Sequence, residues 1–91
     1  MQKGYRKVRR KRLLSPENRS LSAVLAHIRS EHRLTQEQLG ERLKRPQSYV
    51  WKIENGERGI DPVECAAWAR ACGITPRVFF NRFAETLERR P

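Results

Sequence analysis

Within nine residues of this chain, Gln47, Ser48, Lys52 and Asn55 supply two carboxamides, a hydroxyl and an ammonium group. Their chemistry is that of recognition. Gln pairs bidentately with adenine, Lys donates to guanine acceptors, and Ser pairs adaptably with base edges. Placed on a helix at about 100° per residue, residues 46–55 divide into two sides. Gln47, Ser48, Trp51, Lys52 and Asn55 fall together, and Pro46, Tyr49, Val50, Ile53 and Glu54 fall opposite them. Val50 and Ile53 are core residues by type, so the polar set must point away from the domain. An ordinary solvated helix face looks the same, and the wheel alone leaves both readings open.

The elements that position this face are written in local signals. Ser15-Pro16 suits a helix start, with Asn18 and Ser20 as competing caps. Leu21, Val24, Leu25 and Ile28 then recur at helical spacing, ending near His32. Thr35 and Gln38 make a capping box, with Leu34 and Leu39 as its hydrophobic staple, and this second helix runs to about Leu43. Lys44-Arg45 is the turn, Pro46 fits the opening of the third helix, and Asn55-Gly56 stops it. Asp61-Pro62 starts a fourth helix that carries Trp68 and ends at Gly73. Thr75-Pro76 starts a fifth, 75–90, bearing Phe79, Phe80, Phe83 and Leu87. No strand-like alternation and no internal repeat is present. The expected fold is all-α, a compact bundle of about five short helices.

Composition narrows the partner. Ninety-one residues suffice for one modest core. The net charge is +10, which points to a polyanion, nucleic acid before anionic membrane. Seven basic residues (Lys3, Arg6, Lys7, Arg9, Arg10, Lys11, Arg12) lie in the first twelve positions with no acid among them. Residues 13–91 hold thirteen basic and ten acidic residues, a balance of only +3. Residues 1–14 therefore read as a flexible basic arm, and 15–91 as the folded domain. Cys65 and Cys72 sit seven residues apart in one helix, with Cα atoms roughly 10 Å apart, beyond the reach of a disulfide. Buried free thiols are expected, with no zinc spacing, no metal and no cofactor. No apolar run is long enough for a signal peptide or membrane span, so a soluble cytoplasmic protein is expected. Enzymatic activity is not expected either, for want of paired carboxylates, a Gly-rich phosphate loop or an outward Cys/His/Asp constellation.

Residues 21–75 resemble the Xre/Cro-type helix-turn-helix family of phage repressors and bacterial regulators. The resemblance rests on Leu34-Thr-Gln-Glu-Gln-Leu39, Pro46-Gln-Ser-Tyr-Val50 and Ile53-Glu-Asn-Gly56. It implies a lambda-repressor-like DNA-binding fold in a bacterial or phage protein at the nucleoid. It also implies roles for matching positions. Gln47, Ser48 and Lys52 would read bases. Gln36, Tyr49 and Asn55 would approach the DNA backbone, with Lys44 and Arg45 of the turn beside them. Arg29 and Glu54 would form a structural ion pair. Leu25, Ile28, Leu39, Leu43, Val50 and Ile53 would fill the core. Two positions depart from the family. Lys44 stands where the turn usually has Gly, so it is either left-handed at a cost of order 1 kcal/mol or the turn differs. Gly40 stands where Ala usually packs, and permits at least as close an approach. Trp51 is unusual on an outward face. It lies against the rim of the domain, or it meets a thymine methyl or deoxyribose.

The arm either follows phosphates, enters an adjacent minor groove, or is a solvated tail. The aromatic residues of the last helix exceed what one core stripe needs, and any remainder would favour a homodimer. The expected function is a sequence-specific regulator of double-stranded DNA, a repressor on a two-fold operator. The alternative is an antitoxin or partner-binding accessory of the same fold, with a toxin or other protein as its main partner.

Overall fold

Short polar side chains set most of the helix starts, and the computed structural model, which describes residues 15–89, follows them. Helix α1 spans Pro16–Glu31, α2 Gln36–Leu43, α3 Gln47–Glu54, α4 Pro62–Ala71 and α5 Pro76–Glu88, and no strand occurs among the described residues. The basic arm lies outside the described residues. Ser15, not Asn18 or Ser20, caps α1 by accepting from the Asn18 amide at 3.1 Å. The Thr35–Gln38 capping box closes at 3.0 and 2.9 Å. Asp61 opens α4 with a second capping box, its partner being Glu64 at 2.7 and 3.0 Å. Thr75 caps α5. Pro46 stands just outside α3 and offers no side-chain cap, so this helix is one residue shorter at each end than 46–55.

The helix ends use left-handed residues. Gly56 and Gly73 take φ of 73° and 91°, while Arg33 and Lys44 take 59° and 58° without being glycine. In each case the following amide reaches back to the helix: Leu34 to the Arg29 carbonyl, Arg45 to Gly40, Glu57 to Lys52 and Ile74 to Ala69, at 2.8–3.2 Å. Those bonds satisfy carbonyls the helix leaves open. They offset a backbone cost of about 1–2 kcal/mol at each non-glycine position. The turn between α2 and α3 thus keeps its left-handed geometry with Lys44 in place.

Gly40 explains how that turn closes. A Cβ built on it would lie 2.7 Å from the Arg45 carbonyl oxygen, a backbone atom that cannot swing aside. The turn is therefore tighter than alanine permits. Gly40→Ala gains about 1 kcal/mol of helix propensity but must open the turn. The expected net result is a loss of about 1–2 kcal/mol in urea unfolding, within the range of overpacked sites. Unchanged or increased stability would show that the turn relaxes without cost.

Leu25, Ile28, Leu39, Val50, Ile53, Trp68 and Phe79 are fully buried and form one core with Val24, Leu34, Cys65 and Cys72. Leu43 is only partly buried at its edge. Helix α5 packs across α1 and α4, opposite the α2–α3 pair. Two polar groups inside this core are satisfied across helices. The Ser22 hydroxyl donates to the Ile53 carbonyl at 2.8 Å, and the Trp68 indole donates to the Leu25 carbonyl at 3.1 Å. Both cysteines are free and buried, and burial pushes each thiol up to about 11. They are protonated at neutral pH and act as small core residues. No described helix is long and apolar enough to cross a membrane.

Candidate nucleic-acid interface

Helix α3 holds Val50 and Ile53 in the core and leaves Gln47, Ser48, Trp51, Lys52 and Asn55 exposed, as the helical wheel requires. Trp51 is 41% exposed, among the largest apolar side chains on the surface. Asn55 turns its amide nitrogen back to the Trp51 carbonyl at 2.9 Å, closing the helix end.

One edge of that face is fixed from inside the domain. Glu54, its side chain 6% exposed, accepts from Arg29 Nε at 2.6 Å and Nη2 at 3.1 Å. Arg29 also donates to the Leu34 carbonyl at 2.7 Å, so both its ends are used. Glu54 Oε1 then accepts from Gln36 Nε2 at 2.9 Å, and Gln36 Oε1 accepts from Gln47 Nε2 at 2.7 Å. The direction of this chain follows from chemistry. An ionised carboxylate only accepts, so Gln36 must turn its nitrogen to Glu54 and its oxygen to Gln47. Gln47 must in turn offer its nitrogen to Gln36. What remains outward on Gln47 is one acceptor oxygen and one N–H, the pair an adenine edge matches. The buried ion pair thereby orients an exposed amide two hydrogen bonds away from it.

The opposite edge of α3 is cationic and aromatic. Tyr49 is buried to 8% exposure, and its hydroxyl donates to Glu64 Oε2 at 3.3 Å. The hydroxyl is thus turned to a carboxylate on α4. The guanidinium carbons of Arg45 and Arg58 each lie 4.7 Å from the Tyr49 ring centroid. Arg58 donates to Glu64 at 3.2 Å and to the Gly59 carbonyl at 2.7 Å, and Arg45 stands 3.9 Å from the same carboxylate. Burial raises the Glu64 carboxyl, but the Asp61 amide, Arg58 and the Tyr49 hydroxyl outweigh it and hold it below the ordinary value. Burial, with Glu64 alongside, pushes the Tyr49 phenol up. Arg58 and Glu64 escaped the sequence reading because one lies in a loop and the other on a different helix. Glu64 at the third position after Asp61 was the available signal.

A helix-turn-helix domain model matches residues 20–79. The chain is 35% identical to the Xre-family-like protein from Pseudomonas syringae pv. tomato str. DC3000, with a TM-score of 0.70, covering 76% of this chain and 84% of that one. The chain belongs to the Xre-type helix-turn-helix family. Two other solved proteins share the fold. One is the restriction-modification controller protein C.Esp1396I, at 23% identity and TM-score 0.75, with 82% and 99% of the two chains covered. That controller has also been solved as a tetramer with its natural 35 base-pair operator. The other is the clp gene regulator ClgR from Corynebacterium glutamicum, at 19% identity and TM-score 0.71, with 81% and 79% covered. No curated protein sequence matches the chain significantly.

As an Xre-type domain the chain has the architecture of a DNA-binding regulator, with α2 and α3 as the helix-turn-helix pair. The remaining expected positions fall at its margins. Lys44 is exposed in the turn, and Arg45 leads directly into α3. On the far side, Phe79 is buried, Phe83 packs partly against the core, and Phe80 is 38% exposed with its ring edge-on to Phe79 at 5.0 Å. The surplus aromatic anticipated for α5 is therefore Phe80.

Proposed function

We propose that this protein is a sequence-specific regulator of double-stranded DNA, a repressor that reads the major groove with α3. The observation that carries the reading is the chain from Arg29 through Glu54 and Gln36 to Gln47, which pre-sets the outward donor and acceptor of one exposed amide. A solvated surface face gains nothing from such wiring, whereas base discrimination depends on it. Ser48, Lys52 and Trp51 extend the reading surface. Lys44, Arg45, Asn55 and the second amide hydrogen of Gln36 serve the phosphates on either side.

The working form is a homodimer on a two-fold operator, joined through α5 around Phe80, in the cytoplasm. One α3 of eight residues spans too few base pairs to select a genomic site alone. The operator-bound tetramer of C.Esp1396I is a precedent for assembly of this fold on DNA.

Selection of sites from a random DNA pool at near-physiological salt tests the reading. The expected product is a motif with two-fold symmetry. Gln47→Ala should then cost about 1–3 kcal/mol at one base-pair position and relax preference there, and Lys52→Ala should do so one or two base pairs away. Uniform weakening on every sequence would show these side chains to be backbone contacts only.

A further inference from the structure

We propose that Arg45 and Arg58 form a phosphate clamp along the Tyr49 side of α3, with Tyr49 and Glu64 as its positioning residues. The proposal rests on the DNA-binding reading above and deepens it.

A helix in the major groove runs between two phosphate backbones, so each edge of its exposed face needs its own contact. On one edge stand Gln47 and Gln36. On the other edge the wheel places Ser48 and Lys52, and next to them Tyr49. Arg45 enters from the turn before α3. Arg58 enters from the loop after it, where its amide and that of Glu57 are both tied to the Lys52 carbonyl at 3.3 and 2.8 Å. Two guanidiniums from opposite ends of the helix thus converge on one ring, each 4.7 Å from its centroid. Stacking on an aromatic face occupies the plane of a guanidinium and leaves its N–H edge for an oxyanion. Arg58 uses two donors, on Gly59 and Glu64, of the five its fork carries. The cluster sets two guanidiniums against one carboxylate, so a positive charge is left for a phosphate. The Arg45 and Arg58 side chains remain 49% and 33% exposed.

Glu64 is held in turn. Its Oε1 is bound to the Asp61 amide in the α4 capping box, so Oε2 stays at a fixed place for Arg58 and Tyr49. Pre-ordering two long side chains lowers the entropy that phosphate binding would otherwise cost. Tyr49 then acts as a platform and does not itself touch DNA.

The test measures binding of the full chain to a duplex carrying the selected site and to a random duplex, over a range of salt. Arg58→Gln should weaken both by the same factor and flatten the log–log salt slope by about 0.9, one phosphate contact. Arg45→Gln should do likewise. Glu64→Ala raises the net charge yet should weaken binding several-fold, and Glu64→Gln, which keeps the acceptor and the cap, should restore it. Tyr49→Leu removes the ring on which both guanidiniums stack and should weaken both duplexes by about the same factor as Arg58→Gln, with circular dichroism checking that the variant is folded. Tighter binding by Glu64→Ala would make Glu64 a competitor of phosphate and overturn the positioning role. An unchanged slope and affinity in Arg58→Gln would overturn the clamp while the regulator reading stands. Absence of salt-dependent duplex binding by the wild type would overturn both.

Discussion

Glu54→Ala is expected to lower the unfolding free energy by about 3–5 kcal/mol, because it strands the Arg29 guanidinium beside the core. The side chains of Glu54 and Arg29 are 6% and 16% exposed, so water cannot replace the lost partner. A domain of this size has a total stability of about 4–11 kcal/mol, and the variant should be near the edge of folding at 25 °C. Urea unfolding by circular dichroism measures it. A pair of apolar substitutions, Arg29→Met with Glu54→Leu, should recover part of the loss. Full recovery is not expected, because the Leu34 carbonyl and the Gln36 amide lose their partners as well. A midpoint unmoved by Glu54→Ala would place the pair outside the stability of the fold. The milder Glu54→Gln separates stability from recognition. An amide at position 54 can donate as well as accept, so it no longer dictates which way Gln36 and then Gln47 must face. Site preference at the Gln47 position should relax even where the variant remains folded.

That coupling shows why part of the molecule was legible from sequence and part was not. The caps at Ser15, Thr35, Asp61 and Thr75 act on amides within three residues, and each could be read from its neighbours. The faces of α3 follow from helical geometry, and Val50, Ile53 and the exposed set fell where the wheel put them. The Arg29–Glu54 contact entered through family resemblance, but its extension to Gln36 and Gln47 joins residues on separate helices and has no local signal. Tyr49 illustrates a conflict between two sources. The wheel placed it on the core side and the resemblance implied a phosphate contact. Its burial agrees with the wheel, and the partner of its hydroxyl, Glu64, is fifteen residues away and beyond any local signal. Arg33 was missed for another reason. It takes a left-handed helix end without being glycine or asparagine, and residue type alone gave no indication.

Deleting residues 1–12 is expected to have the largest effect on DNA affinity and little effect on which DNA is preferred. The deletion removes seven positive charges, takes the chain from +10 to +3, and leaves every residue of α2 and α3 in place. Affinity from phosphate neutralisation falls with log salt at about −0.9 per contact, so the slope should become shallower by as much as about 6 if all seven charges meet phosphates. Losses of that kind reach orders of magnitude at low salt and shrink as salt rises, because the released counterions provide the driving force. The ranking of operator variants should stay nearly fixed, since the reading face is untouched. Binding titrations at several salt concentrations, on the selected site and on single-base variants of it, separate the three roles open to the arm. A flatter slope with an unchanged ranking identifies it as a phosphate contact. A ranking that changes only at A·T positions flanking the half-site identifies minor-groove entry, where width and the A·T pattern are read. An unchanged slope at full affinity would leave the arm as a solvated tail, and the specific binding would then rest on α3 and the arginines beside it.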